Sequence, residues 1–261
     1  MIDIVIPYKD NSEQLDKTVR LVEEHTSGYK LHLVREPNLN VSDARQKAMD
    51  EVVHGDIVCF LDDDSEMVHD GWLDAMARSL DANPDAGAVF GGEWWGTEKQ
   101  TEVNPVAGDV EIDYGPAACM LIDKRRIPEQ VKWDSNIGLC NGWLGGDFEE
   151  VDYCYQLSRA GLKLLRCTSA LFHHTGGRTT LRDFGRSDRA RTTRAMQILL
   201  NYKYAKAPED ADWFKGLKYA KASVTDDNML AGGETLRGCY KDVIENNGLT
   251  GVPFFKRAGL I

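Results

Sequence analysis

No stretch of this 261-residue chain holds the ~18 consecutive apolar residues that a membrane-spanning helix needs, so no transmembrane segment is expected. The opening residues, Met1-Ile2-Asp3-Ile4-Val5-Ile6-Pro7, lack the basic, apolar and small-residue regions of a secretion signal and enter directly on a strand pattern. A cytoplasmic protein is therefore expected. Its six cysteines (Cys59, Cys119, Cys140, Cys154, Cys167 and Cys239) form no C-x-x-C pair, and several sit in apolar runs. That pattern disfavours a thiolate zinc site and fits reduced, buried thiols. Internal repeats and low-complexity tracts are missing, as is a Gly-rich phosphate loop near the N-terminus, which weighs against a nucleotidyltransferase. Positive charge is also in deficit: 31 Lys and Arg face 42 Asp and Glu, a formal charge of −11 that disfavours a broad nucleic-acid surface. What remains is an ordinary globular composition, 42% hydrophobic and 28% charged.

Strand and helix signals alternate over the first hundred residues. Ile2–Pro7 reads as a strand, and Asn11-Ser12 can cap a helix that runs to about His25 with Leu15, Val19 and Leu21-Val22 on one side. Lys30–Val34 is a second strand, and a helix from Val41-Ser42-Asp43 ends near Gly55. Asp56–Leu61 and Ala86–Phe90 are further strands, separated by a helix over Trp72–Leu80 that Asn83-Pro84 closes. Such alternation predicts an α/β fold whose sheet is parallel, with helices on both faces. Gly91–Gly108 reads as an irregular segment that wraps a site. Gly115–Asp123 contains a buried strand, Phe148–Ala160 a helix with acids in its first turn, and Leu162–Leu165 and Ala170–His173 two short strand pieces. Beyond Gly177 the spacing turns helical. The simplest division is a core over residues 1–177 and a helical C-terminal extension over 178–261 packed on the same domain.

The triplet Asp62-Asp63-Asp64 follows directly on the apolar run Ile57-Val58-Cys59-Phe60-Leu61. Ligands of open α/β sheets bind at the carboxyl ends of such strands. Clustered carboxylates there need a cation, a shared proton or open water, and hard oxygen ligands suit Mg²⁺ or Mn²⁺. A solvated acidic turn is the plain alternative. In extended geometry Asp62 and Asp64 share a side and Asp63 faces away. The adjacent His173 and His174 likewise point oppositely, so at most one faces a site.

Four segments, taken in order, resemble family 2 glycosyltransferases, the inverting nucleotide-diphosphate-sugar enzymes of the GT-A fold. Val5-Ile6-Pro7-Tyr8-Lys9-Asp10-Asn11 is similar to the family's first strand end. Asn38-Leu39-Asn40-Val41-Ser42-Asp43-Ala44-Arg45 is similar to its N-x-G-x-x-x-A-R-N helix start, with Asn40 in place of Gly and Gln46 in place of Asn. Gly55–Asp64 resembles the strand leading into the D-x-D motif. Gly145-Gly146-Asp147-Phe148-Glu149-Glu150-Val151-Asp152 resembles the G-G-x-E-D-x-D acceptor helix, with Glu150 where Asp is customary. The likeness covers roughly residues 2–177.

The resemblance implies a GT-A-like, Rossmann-related sheet, a nucleotide-diphosphate-sugar donor (a UDP-sugar foremost) and a Mn²⁺ or Mg²⁺ cofactor. Asp64 would bind the metal, and Asp62 the metal or the donor ribose. His174 would complete the coordination, and Asp63 is kept as a donor-side candidate despite its outward phase. Pro7, Tyr8, Asp10 and Glu36 fall where the nucleoside is held, and Arg45 approaches a phosphate or braces the acids. Glu150 stands at the position of the base that deprotonates the acceptor hydroxyl, with Glu149 and Asp147 as rivals. Asp152 would orient the acceptor, and Trp95 and Trp143 offer flat faces for sugar or base. The acceptor stays open among glycan, lipid-linked and nucleic-acid substrates. A locally basic run (Arg178, Arg182, Arg186, Arg189, Arg191 and Arg194) keeps modified DNA bases in view. A non-catalytic sugar-binding module is the reading that the changes at Asn40 and Glu150 would favour.

Overall fold

The computed structural model describes residues 1–35, 41–94, 108–134, 139–140, 143–144 and 149–175. Strand β1 (Ile2–Tyr8) leads through helix α1 (Glu13–His25) to β2 (Tyr29–Arg35). Helix α2 (Val41–Lys47), continued by a π-helical turn over Ala48–Val52, precedes β3 (Ile57–Leu61) and the short β4 (Ser65–Met67). Then follow α3 (Trp72–Ala82), β5 (Ala86–Trp94), β6 (Val110–Glu111) and β7 (Cys119–Asp123). Strands β8 (Leu139–Cys140) and β9 (Trp143–Leu144), helix α4 (Glu149–Arg159) and β10 (Lys163–His174) complete the described chain. All of it except Val41, Ser42, Asp134, β8, β9 and Glu149 belongs to one compact unit. Within the second unit β8 and β9 pair antiparallel. The helical extension expected over 178–261 lies outside the described residues. Among the described residues no helix is long and apolar enough to cross a membrane.

The large sheet runs β2-β1-β3-β7-β5-β10-β4, with β6 paired to β10. Alternation along each strand divides its side chains between two cores. Ile4, Ile6, Cys59, Leu61, Cys119 and Leu121 meet Leu15 and Val22 of α1 and Trp72, Met76 and Leu80 of α3. Val5, Val58, Phe60, Met120 and Ile122 meet Ala48, Trp133, and Tyr153, Cys154 and Leu157 of α4. Buried on both faces, the central strands are apolar throughout, which is why they read as unbroken runs.

Local chemistry sets the element ends. Ser12 caps α1 by accepting the Leu15 N–H at 3.0 Å. The carbonyls at the end of α3 are taken by Arg126, which donates to Leu80 and Asn83 at 3.0 and 2.9 Å. Gly161, at φ +81°, stops α4 in the left-handed region.

The sheet departs from simple alternation in three ways. Strand β7 lies between β3 and β5 and runs antiparallel to both, so β5 is not the neighbour of β3. An all-apolar strand carries no mark of direction, and sequence order alone misleads here. Strand β5 continues past Phe90 to Trp94, where an irregular segment was expected. Its Gly91 and Gly92 are strand residues, because a Cβ on Gly91 would stand 2.9 Å from Cys119 Sγ and from the Phe172 ring. The two short strand pieces are one twelve-residue strand, β10, whose register against β5 shifts between Cys167 and Leu171.

Gly115 offers a direct check of this packing, since a Cβ there would lie 2.4 Å from Phe90 Cγ. Gly115→Ala is expected to lower stability by about 1–3 kcal/mol through overpacking. Urea unfolding measures it, and an unchanged midpoint would refute the packing described.

Candidate functional site

Strands β3, β5 and β10 share one direction, so their carboxyl ends open at the same edge of the sheet. The acid triplet leaves β3 there, and backbone bonds hold it. The Asp62 N–H donates to the Ala118 carbonyl at 3.2 Å, and Ser65 N–H closes a turn onto the Asp62 carbonyl at 3.1 Å. The Asp64 carbonyl accepts the Thr175 N–H at 3.2 Å, and the Asp63 carbonyl accepts the Thr18 hydroxyl at 3.0 Å. With these main-chain groups bonded, the loop holds a conformation that its clustered charges would otherwise oppose.

Three side chains converge. His174 Nε2 lies 3.0 Å from Asp64 Oδ1 and 3.8 Å from Asp62 Oδ2. Among the described residues, Asp62, Asp64 and His174 are the group whose ligand atoms could share one metal ion, all lying within 4.8 Å of one another. Two carboxylates and one imidazole are a donor set that Mn²⁺ or Mg²⁺ accepts, the nitrogen suiting the former better.

Each member is held from behind. His174 Nδ1 is 2.6 Å from Glu93 Oε1 at the end of β5, an arrangement that fixes ring orientation and leaves Nε2 facing the aspartates. Arg45, fully buried on α2, donates to Asp62 Oδ1 at 2.7 Å. Its guanidinium lies over the Trp133 ring, 4.9 Å from the centroid. Trp133 in turn stacks on Tyr153 of α4, with centroids 4.2 Å apart and planes within 6°, and meets the edge of Phe60 at 5.8 Å.

The crowding shows in the acid–base behaviour. Burial opposes a charge on His174, but hydrogen bonds that its ring donates to Asp64 and Glu93, with the charge of Asp62, push its pKa up to about 10. Asp63 goes up to about 7, first through burial and then through repulsion from Asp62 and Asp64.

Sequence-derived candidates distribute as follows. Asp62, Asp64, His174 and Arg45 come together. Asp63 stands outside the ligand group, although the triplet forms a turn and not the extended chain expected of it. His173 points to the other side, 3.5 Å from a Glu66 carboxylate that Lys17 and Gln14 also hold. Pro7 and Tyr8 are half-buried at the end of β1, while Asp10 is exposed, 3.7 Å from Arg35. Glu149 is buried and Glu150 half-buried in the first turn of α4. Asp152 is buried and accepts from Gln156 at 2.8 Å; that same Gln156 grips the Lys132 backbone. Glu36, Asp147 and Trp95 lie outside the described residues, as does the side chain of Trp143.

Sequence reasoning missed Glu93 and Trp133. The pair Gly91-Gly92 reads as a loop, which hid the strand that delivers Glu93. Trp133 sits in a segment without periodicity, and nothing nearby marks it.

Comparison with known proteins adds the following. Residues 4–106 match the sequence model described as glycosyl transferase family 2. No curated protein matches the chain. A crystal structure of TarS from S. aureus covers 82% of this chain and 68% of its own, with 9% identity and a TM-score of 0.52. The structure of A197 from STIV covers 64% of this chain and 82% of its own, with 16% identity and a TM-score of 0.40. The likeness to TarS concerns the fold, a mostly parallel sheet flanked by helices of the GT-A type.

The two raised pKa values predict how stability depends on pH without divalent cations. His174 titrates at about 10 in the folded chain against an ordinary 6.5, so its contribution is complete below 6.5 and lost as pH rises towards 10. Asp63, at about 7 against 3.8, disfavours the fold progressively as it ionises across that interval. In EDTA the melting temperature is therefore expected to fall from pH 5 to pH 9. A melting temperature that rises over this range contradicts the site's electrostatics.

Proposed function

We propose that this chain is a family 2-like glycosyltransferase that moves a sugar from a nucleotide-diphosphate donor to an acceptor hydroxyl with inversion, aided by a divalent cation. The observation that carries the reading is the meeting of Asp62, Asp64 and His174 at the carboxyl edge of a parallel sheet. Their donor atoms fit a cation, and Glu93 supplies the orienting hydrogen bond that metal-ligating imidazoles ordinarily have. When bound, Mn²⁺ or Mg²⁺ supplies positive charge against the diphosphate that departs.

The chain's own residues do the rest. Arg45 engages one oxygen of Asp62 and leaves the other turned towards His174. Pro7, Tyr8, Asp10 and Glu36 form the nucleoside end of the site, with a UDP-sugar as the donor to try first. Asp63 remains a donor-side residue of this reading. Glu150 is the base, with Asp147 and Glu149 as alternatives. Its carboxylate takes the proton of the acceptor hydroxyl as that oxygen bonds to the anomeric carbon and the bond from that carbon to the diphosphate oxygen breaks. Asp152 steadies the acceptor helix, and Trp95 and Trp143 serve as stacking faces for sugar or base. The acceptor is a glycan, a lipid-linked sugar or a nucleic acid. Four described cysteines, Cys59, Cys119, Cys154 and Cys167, are free and buried, which supports a reducing, cytoplasmic setting.

Two substitutions test the assignment. Glu150→Gln is expected to cut turnover ~10²-fold or more while leaving nucleotide binding in place; full turnover would move the base to Asp147 or Glu149. Glu93→Gln is expected to weaken Mn²⁺ binding ~10-fold or more, by analogy with other partners of metal-bound histidines. Direct Mn²⁺ titration reads this without any sugar transfer, and an unchanged affinity removes Glu93 from the site.

A further inference from the structure

The proposed reaction has two halves, a donor side at Asp62, Asp64 and His174 and an acceptor side on α4, and Trp133 touches elements of both. Building on that reading, we infer that Trp133 is a positioning residue that sets the two halves against each other. On one side it supports Arg45, whose guanidinium lies 4.9 Å over its ring and reaches Asp62 Oδ1 at 2.7 Å. On the other it stacks on Tyr153, in the second turn of the helix that begins at Glu149. All three residues are fully buried, so none can shift without moving its neighbour.

The backbone of Trp133 is held just as firmly. Gln46, beside Arg45 on α2, accepts its N–H at 3.0 Å. Gln156 of α4 accepts the Lys132 N–H at 3.1 Å and donates to the Lys132 carbonyl at 2.8 Å. One glutamine from each helix thus clamps this two-residue stretch. Phe60, two residues before Asp62, presses its ring edge against the indole. Trp133 is thereby fixed by β3, α2 and α4 together, and through Arg45 it fixes the orientation of the Asp62 carboxylate. A planar guanidinium stacked on an aromatic face keeps one orientation, which an ammonium in its place would not.

The test uses the full chain with Trp133→Leu, Trp133→Phe and Arg45→Lys, each checked for folding by circular dichroism and thermal melting. Trp133→Leu is expected to weaken Mn²⁺ binding severalfold, up to ~10-fold, as loss of an outer support of a metal ligand does. Turnover should fall by ~10–100-fold with the donor KM moved little, since small misplacements act on the reacting geometry. Trp133→Phe, which keeps a ring between Arg45 and Tyr153, should recover most of both. A Mn²⁺ affinity in folded Trp133→Leu equal to that of the unaltered chain overturns the inference, as does a Phe variant no better than Leu. If Trp133→Leu does not fold, Trp133→Met takes its place in a double-mutant cycle with Arg45→Lys: effects on Mn²⁺ affinity that fall short of additive support the inference, and strictly additive ones overturn it. A chain that binds Mn²⁺ but transfers no sugar defeats the functional reading, and the Mn²⁺ titration then decides the role of Trp133 by itself.

Discussion

Like charges gather at the carboxyl edge of this sheet, and the form of the site follows from how their repulsion is met. Asp62, Asp63 and Asp64 leave β3 together, and Glu93 arrives from β5. Two unit charges ~4 Å apart interact by about 4 kcal/mol at the effective dielectric of a protein surface, so four acids cannot stay ionised without compensation. Arg45 answers Asp62, and a protonated His174 stands between Asp64 and Glu93. Asp63 keeps its proton into the neutral range. Protons and one guanidinium offset the crowded negative charge, and this explains why such a cluster is compatible with a folded chain.

The reversed strand β7 belongs to the same design. Because it runs against β3 and β5, its first residues meet their last ones at the site edge. The Ala118 carbonyl, just before β7, therefore receives both the Asp62 N–H and the Ser65 hydroxyl, the latter at 2.7 Å. A parallel strand in that place would present its carboxyl end here, and the acid loop would need another anchor. The interposed strand also sets β3 and β5 two strand spacings apart, and Glu93 reaches the cluster by way of His174.

Much of this was legible in the residues, and the reasons are physical. Ser12 before an apolar periodicity marks a helix start because its hydroxyl satisfies a free N–H, and the structure puts it to that use. The separation of Asp63 from Asp62 and Asp64 has another origin than the alternation expected of extended chain, since the triplet leaves β3 in a turn closed by Ser65 N–H on the Asp62 carbonyl. Two things stayed hidden because they depend on distant partners. The direction of β7 is invisible in a run that is apolar on both faces. The extension of β5 is masked by glycines whose purpose, close approach to Cys119 and Phe172 for Gly91 and to Leu171 for Gly92, exists only once the sheet is assembled. Trp133 is the extreme case: its importance lies wholly in what surrounds it.

The break in register within β10 carries an arithmetic consequence. Cys167 pairs with Gly91 and Leu171 with the next residue, Gly92, so β10 holds three residues, Thr168 to Ala170, that β5 does not match. An odd surplus inverts the phase of everything that follows. Before it, Leu165 and Cys167 face the core shared with α1 and α3; after it, Phe172 faces that core, and His174 keeps its phase. Beyond the break the phase is set by pairing with β5: Phe172 lies opposite Glu93 and His173 opposite Trp94, which leaves His174 on the Glu93 side. The choice between two adjacent histidines is thus made by where pairing with β5 resumes after the bulge, and a one-residue slip of that pairing would turn His173 to the Glu93 side instead.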